Sequence, residues 1–163
     1  MSVTDELLAS NENYADGFAK GKLPRAPAQR VAVLCCMDAR VIPSRILGLE
    51  EGDAHIIKNA GGLATDDAIR SLAISQHQLG TEEIVLIHHT DCGMLGLDGD
   101  EFAEKLERET GERPPWHPLG FTDLEESLRG SIEEIKRSPF IPRTDSVRGF
   151  IYDVETGRLG EVT

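Results

Sequence analysis

Two stretches of the chain, Val31-Ala32-Val33-Leu34-Cys35-Cys36 and Glu83-Ile84-Val85-Leu86-Ile87-His88-His89, stay apolar through their middles instead of alternating with polar residues. A strand with one wetted face alternates. A short run that is apolar at every position needs cover on both faces, as in a mostly parallel sheet lying between helices. The remainder of the chain therefore has to supply helices for two sides of a sheet, and its pattern does so. Strand-like and helix-like segments follow one another without repeats or low-complexity tracts, which predicts an α/β fold.

Thr4 to Ala19 has loosely helical apolar spacing at Leu7, Leu8, Tyr14 and Phe18, with Thr4 as the expected N-cap. Leu23 to Pro27 holds two prolines and leads into the first apolar run. Pro43 suits a first helical turn, so the residues between Cys36 and Pro43 form a strand-to-helix loop. A second strand, Ala54 to Lys58, ends in the flexible Asn59-Ala60-Gly61-Gly62. Thr65-Asp66-Asp67 then caps a helix to about Leu79, stopped by Gly80, with Ala68, Ile69, Leu72, Ala73 and Leu79 on its buried face. Beyond the second run come a helix over Glu101 to Glu109 and a loop from Gly111 to Leu119 rich in proline. A capping box of Thr122 and Glu125 opens a helix to about Ser138. Val147 to Asp153 and Arg158 to Val162 close the chain as a hairpin.

A length of 163 residues, 39% hydrophobic and 28% charged, is that of one soluble domain able to bury a core without disulfides. The expectation is a single domain over residues 1–163, with residues 1–30 as an amino-terminal helical arm and loop. Acidic residues outnumber basic ones 29 to 17, for a net charge of -12, and no Lys/Arg cluster is present to neutralise phosphates. Neither nucleic acid nor a membrane surface is an expected partner. The first twenty residues lack a basic start followed by an apolar run, and no apolar stretch is long enough to span a bilayer, so a cytoplasmic protein is expected. Three cysteines, two of them adjacent, suit a disulfide framework poorly and a reducing compartment well.

The chemistry lies where the two runs end. Cys36-Met37-Asp38-Ala39-Arg40 and His89-Thr90-Asp91-Cys92-Gly93 offer two thiolates and an imidazole at the carboxyl ends of two strands, the edge at which such sheets bind ligands. Structural zinc is normally closed by four protein ligands. Three leave a place for water, which the metal acidifies into a nucleophile. Cys36, His89 and Cys92 are thus candidate Zn²⁺ ligands of a hydrolytic or hydrating enzyme. Adjacent strand residues point to opposite faces, which makes Cys35 a small buried hydrophobe and His88 a packed or hydrogen-bonded histidine. His55, His77 and His117 have no partner pattern and are read as structural or surface residues. Asp38 and Arg40 have alternate spacing on one side of the segment after Cys36. Next to zinc, the carboxylate can accept the proton of the reactive water while the guanidinium keeps it ionised and off the metal. Were Arg40 to release Asp38, its oxygen would fill the open position.

These two motifs, about fifty residues apart, resemble the paired zinc motifs of the beta-class carbonic anhydrases, in particular the compact bacterial and archaeal branch. The similarity extends to Lys58-Asn59-Ala60-Gly61, to Ser71-Leu72-Ala73-Ile74-Ser75 and to Gly149-Phe150-Ile151-Tyr152-Asp153. The resemblance implies a mainly parallel sheet with an antiparallel edge strand flanked by helices. It also implies a homodimer or higher homo-oligomer whose amino-terminal helix reaches over the partner, and reversible hydration of carbon dioxide to bicarbonate. Carried onto this chain, Cys36, His89 and Cys92 hold zinc and Asp38 with Arg40 forms the orienting dyad, Asp38 being alternatively a fourth ligand in a closed form. Lys58 stands where that family commonly has arginine, no glutamine precedes Cys36 as in the plant-type pocket, and Trp116, the only tryptophan, lies in the proline loop. Two rivals remain from the sequence. One is a carbonyl sulfide hydrolase on the same scaffold, and the other a zinc-stabilised binding module without turnover, for which Asp38 is the only nearby fourth ligand.

Overall fold

In the computed structural model, which describes residues 2–163, the strands are β1 (Val31–Cys36), β2 (Ala54–Asn59), β3 (Glu83–His89), β4 (Val147–Tyr152) and β5 (Leu159–Val162). They form one sheet in the order β2-β1-β3-β4-β5. The first four are parallel and β5 runs antiparallel on the edge. The helices are α1 (Val3–Asp16), α2 (Pro43–Leu47), α3 (Asp66–Leu79), α4 (Gly99–Thr110) and α5 (Leu124–Arg137). None is long and apolar enough to cross a membrane.

The continuous apolar runs are explained by the two half-cores on either side of the sheet. Ala32, Leu34, Ile84 and Leu86 pack with Ala68 and Leu72 of α3 and Leu128, Ile132 and Ile135 of α5. Val33, Cys35 and Ile87 point the other way, against Val41 and the partly buried Ile46, Leu47 and Leu49. Each fully buried aliphatic side chain contributes about 1.5–3 kcal/mol, so the central strands β1 and β3 carry much of the stability. The chain leaves β1 for β2 on one side and returns to β3 on the other. The carboxyl ends of β1 and β3 therefore flank the point at which strand order reverses, where a crevice opens in sheets of this kind.

Four local expectations are corrected. The first helix is capped by Ser2, not Thr4: Ser2 Oγ accepts from the Asp5 N–H and Asp5 Oδ2 accepts from the Ser2 N–H, a reciprocal box that starts the helix earlier. It ends at Asp16, with Gly17 as C-cap, not at Ala19. On α3 the buried face is completed by Ser75 and Gln76, while Leu79 is only partly buried. Both polar residues tolerate burial because they are bonded. Ser75 Oγ lies 2.7 Å from Thr81 Oγ1 and 2.7 Å from His55 Nδ1, and Gln76 pairs with the Arg143 backbone at 2.9 and 3.0 Å. For α5 the cap is Asp123, whose carboxylate accepts from the Glu126 N–H, not Thr122.

The turn after β2 sets the floor of the site. Gly61 and Gly62 have φ of 82° and 70°, and a Cβ on Gly62 would come 2.8 Å from the Cys36 nitrogen and 2.9 Å from the Cys35 carbonyl carbon. Both facts demand glycine. Gly62→Ala is expected to cost at least about 1–3 kcal/mol, read as a lowered urea midpoint at unchanged slope.

Candidate metal centre

Cys36 is the last residue of β1 and His89 the last of β3. Immediately beyond, Asp91 adopts a left-handed φ of 54°, a conformation that aspartate tolerates, and this turn brings Cys92 back beside His89. One ligand atom from each of Cys36, His89 and Cys92 lies within 4.8 Å of the others, and all three residues are buried. The two sulfurs are 3.9 Å apart and both thiols are free. That separation is close to the roughly 3.8 Å between two sulfurs placed tetrahedrally at about 2.3 Å from zinc.

The protonation pattern fits a cation as well. His89 Nδ1 faces the Thr90 carbonyl at 2.8 Å. A carbonyl only accepts, so Nδ1 carries the proton and Nε2 keeps its lone pair. Nε2 is buried and has no hydrogen-bond partner among the described residues, an expensive arrangement for a polar atom unless something binds it. Burial pushes the Cys36 thiol up, but neighbouring groups, the N–H groups of Asp38 and Gly61 among them, outweigh it and lower its pKa. Cys92 is raised, mainly by burial, against the pull of the Met94 N–H. Soft sulfur donors with one imidazole are a zinc set.

Asp38 and Arg40 are brought to the same place. The pairing arises from a turn and not from an extended segment: Asp38 Oδ1 accepts from the Arg40 N–H at 2.8 Å, folding the chain so that the guanidinium grips both carboxylate oxygens at 3.0 and 2.8 Å. These bonds hold the Asp38 carboxyl well below the usual carboxylate range and raise the guanidinium pKa. Asp38 Oδ2 stands 3.8 Å from His89 Nε2, at the mouth of the donor cluster and engaged with Arg40.

Cys35 and His88 lie outside the cluster. Cys35 is fully buried and its thiol is pushed up to about 11, chiefly by burial, so it is inert. His88 is buried against Phe121. His77 and His117 are exposed and bond to nearby backbone, while His55 is half-buried on Ser75. Two residues of the site escaped the sequence reasoning. Arg40 also donates to Asp91, to Oδ2 at 2.8 Å and to its carbonyl at 2.9 Å, bridging the loops after β1 and β3. Lys58 Nζ donates to the carbonyls of Val41 at 2.7 Å and Asp38 at 3.3 Å, bracing the Asp38 loop from β2.

Comparison with known proteins places the chain in one family. A family model described as carbonic anhydrase matches residues 31–116. Beta-carbonic anhydrase 1 of Mycobacterium tuberculosis is 53% identical over 163 residues, covering 100% of this chain and 99% of the relative. The crystal structure of a carbonic anhydrase from Streptococcus mutans superposes with a TM-score of 0.93 at 48% identity, covering 100% of this chain and 99% of that one. A carbon disulfide hydrolase of an Acidianus species is 36% identical over 180 residues, covering 95% of this chain and 86% of the relative.

Proposed function

Because the chain belongs to the beta-carbonic anhydrase family, we propose that it converts carbon dioxide reversibly to bicarbonate and a proton with Zn²⁺ held by Cys36, His89 and Cys92. The observation that carries this reading is the buried cluster of three donor atoms with a bare imidazole lone pair among them. A zinc ion held by these three residues would supply a water acidified to about neutrality as the nucleophile, as in carbonic anhydrases that hold it with three histidines.

The chain's own groups do the rest. Asp38 is kept ionised by Arg40, so its free carboxylate lone pairs accept the hydrogen of the attacking water and leave an oxygen lone pair aimed at the substrate carbon. Arg40 holds that carboxylate at two points, and Asp91 and Lys58 hold the loop that carries it. Thr90 fixes the His89 tautomer through its carbonyl. Two thiolates neutralise a divalent cation, so the orientation of the water matters more here than with neutral ligands.

The similarity to carbon disulfide hydrolase supports a second reading, hydrolysis of carbonyl sulfide or carbon disulfide, which are linear electrophiles open to the same attack. Stopped-flow carbon dioxide hydration measured beside hydrogen sulfide release from both sulfur compounds separates the two. Hydration far above the buffer rate with slow sulfide release is expected; sulfide release faster than hydration reverses the assignment.

The arm suggests the assembly. No residue of α1 is buried, and Val3, Leu7, Leu8, Tyr14 and Phe18 expose large apolar side chains. Such a face is out of place on a solvated helix. In the proposed homodimer, a cytoplasmic one, it covers the partner. Sedimentation should give a dimer, and removal of residues 1–18 should give monomer.

A further inference from the structure

Outside the donor set, one buried ring touches both halves of the site. His88 Nε2 lies 3.2 Å from the Gly62 carbonyl, so Nε2 carries the ring proton and donates it there. Burial pushes the ring pKa down to about 4 despite the Gly62 and Leu124 backbone groups, leaving a neutral imidazole whose Nδ1 has no hydrogen-bond partner among the described residues. On its face the ring stacks on Phe121, with centroids 5.8 Å apart and planes 15° from parallel.

Each contact leads to a cysteine. Gly62 is pressed onto the Cys35–Cys36 peptide. Phe121 is tied to the loop that follows Cys92: its N–H donates to the Met94 carbonyl at 3.2 Å and its carbonyl accepts from the Gly96 N–H at 2.7 Å. Leu95, in the same loop, donates its N–H to the Cys92 carbonyl at 3.0 Å. The Phe121 ring also abuts Gly61, whose Cβ would meet it at 3.3 Å.

We propose that His88, with Phe121 stacked on it, is a positioning residue for the metal centre: it locks the Gly61–Gly62 turn against the Cys35–Cys36 peptide and the Met94–Gly96 loop that follows Cys92, so that both cysteine sulfurs are held in place for the cation. Groups that fix the backbone carrying a ligand fix the aim of that ligand, and their loss weakens metal binding. The inference rests on Cys36 and Cys92 being ligands.

The test compares His88→Phe, which keeps a flat stacking ring but has no donor, with His88→Gln, which returns an N–H near the position of Nε2. Zinc affinity is read by competition with a chelator, and sulfur donation by the thiolate-to-metal absorption of the cobalt-substituted protein. His88→Phe should weaken zinc binding by about 10–100-fold, the usual cost of losing a group that orients a ligand, and move the cobalt band; His88→Gln should recover most of both. An unchanged affinity and band in His88→Phe, or a His88→Gln protein as impaired as His88→Phe, overturns the inference. Should His88→Phe fail to fold, Phe121→Leu, in a half-buried loop, must shift affinity and band in the same direction. A wild-type cobalt protein without any thiolate band removes the ligand assignment itself, a result distinguishable from the others.

Discussion

Cys36→Ala, Cys92→Ala and His89→Ala proteins are expected to emerge from purification without stoichiometric zinc and to hydrate carbon dioxide no faster than buffer, whereas Cys35→Ala keeps both metal and activity. Each of the first three removes one of only three protein donors, a larger loss than the about 10–100-fold that follows removal of a group merely orienting a ligand. Cys35 differs from its neighbour only in the face it occupies. It sits in the core with Val33, Val41 and Ile87, and its truncation leaves a small cavity costing about 1–2 kcal/mol. Elemental analysis of the four proteins checks this directly, and full zinc content in Cys36→Ala would refute the assignment. Proton competition gives a further signature. Metal binding requires both sulfurs deprotonated, so with the Cys92 thiol raised above its ordinary value, zinc affinity should fall with pH already above neutrality, and more steeply once Cys36 and His89 also take up protons.

The second large effect concerns the dyad. Asp38→Ala and Arg40→Ala should retain zinc and lose about 10–100-fold in kcat, with the loss in turnover rather than in KM. Their combination is informative, because Arg40 has two tasks: holding Asp38 ionised and holding it away from the cation. Without Arg40, Asp38 is free to enter the open position and block it. The double variant should therefore be no worse than Arg40→Ala alone, a non-additive result expected of residues that act through each other. The pH profile carries the same information with a definite sign. With Arg40 present the Asp38 pKa lies well below 3.8, so Asp38 stays ionised through the working range and contributes no limb above that value. Loss of zinc from either variant would instead favour a structural role. Asp91→Ala should do much less, since its side chain is 79% exposed and exposed ion pairs contribute about 0–1 kcal/mol.

Much of this was legible in the chain, for identifiable reasons. The runs ending at Cys36 and His89 announced buried parallel strands because covered strands cannot alternate, and Pro43, Thr65 and Gly80 marked helix ends by their backbone chemistry. The caps Ser2 and Asp123 were missed because a better-bonded residue lay near the chosen one. Strict alternation also fails at the site. Ala32 and Leu34 share a face with Ile84 and Leu86, so counting in twos puts His88, not His89, on the side of Cys36. Both Cys36 and His89 are the last residues of their strands, still paired with Asn59 and Tyr152, so the cluster is reached around the strand ends and not on one face of the sheet. The clasp of Arg40 on Asp91 and the contact of His88 with Gly62 were invisible because they join segments far apart in sequence.

Placement at the reversal point of the strand order has a dynamic consequence. Cys36 and His89 terminate two of the three interior strands, whose backbone is freed only when the sheet as a whole comes apart. Cys92 hangs on a surface turn that can open locally at far smaller cost. An ion leaving this protein would therefore be released first by Cys92, pivoting on two anchors that yield last, and one arriving would be caught by those anchors before the turn closes over it.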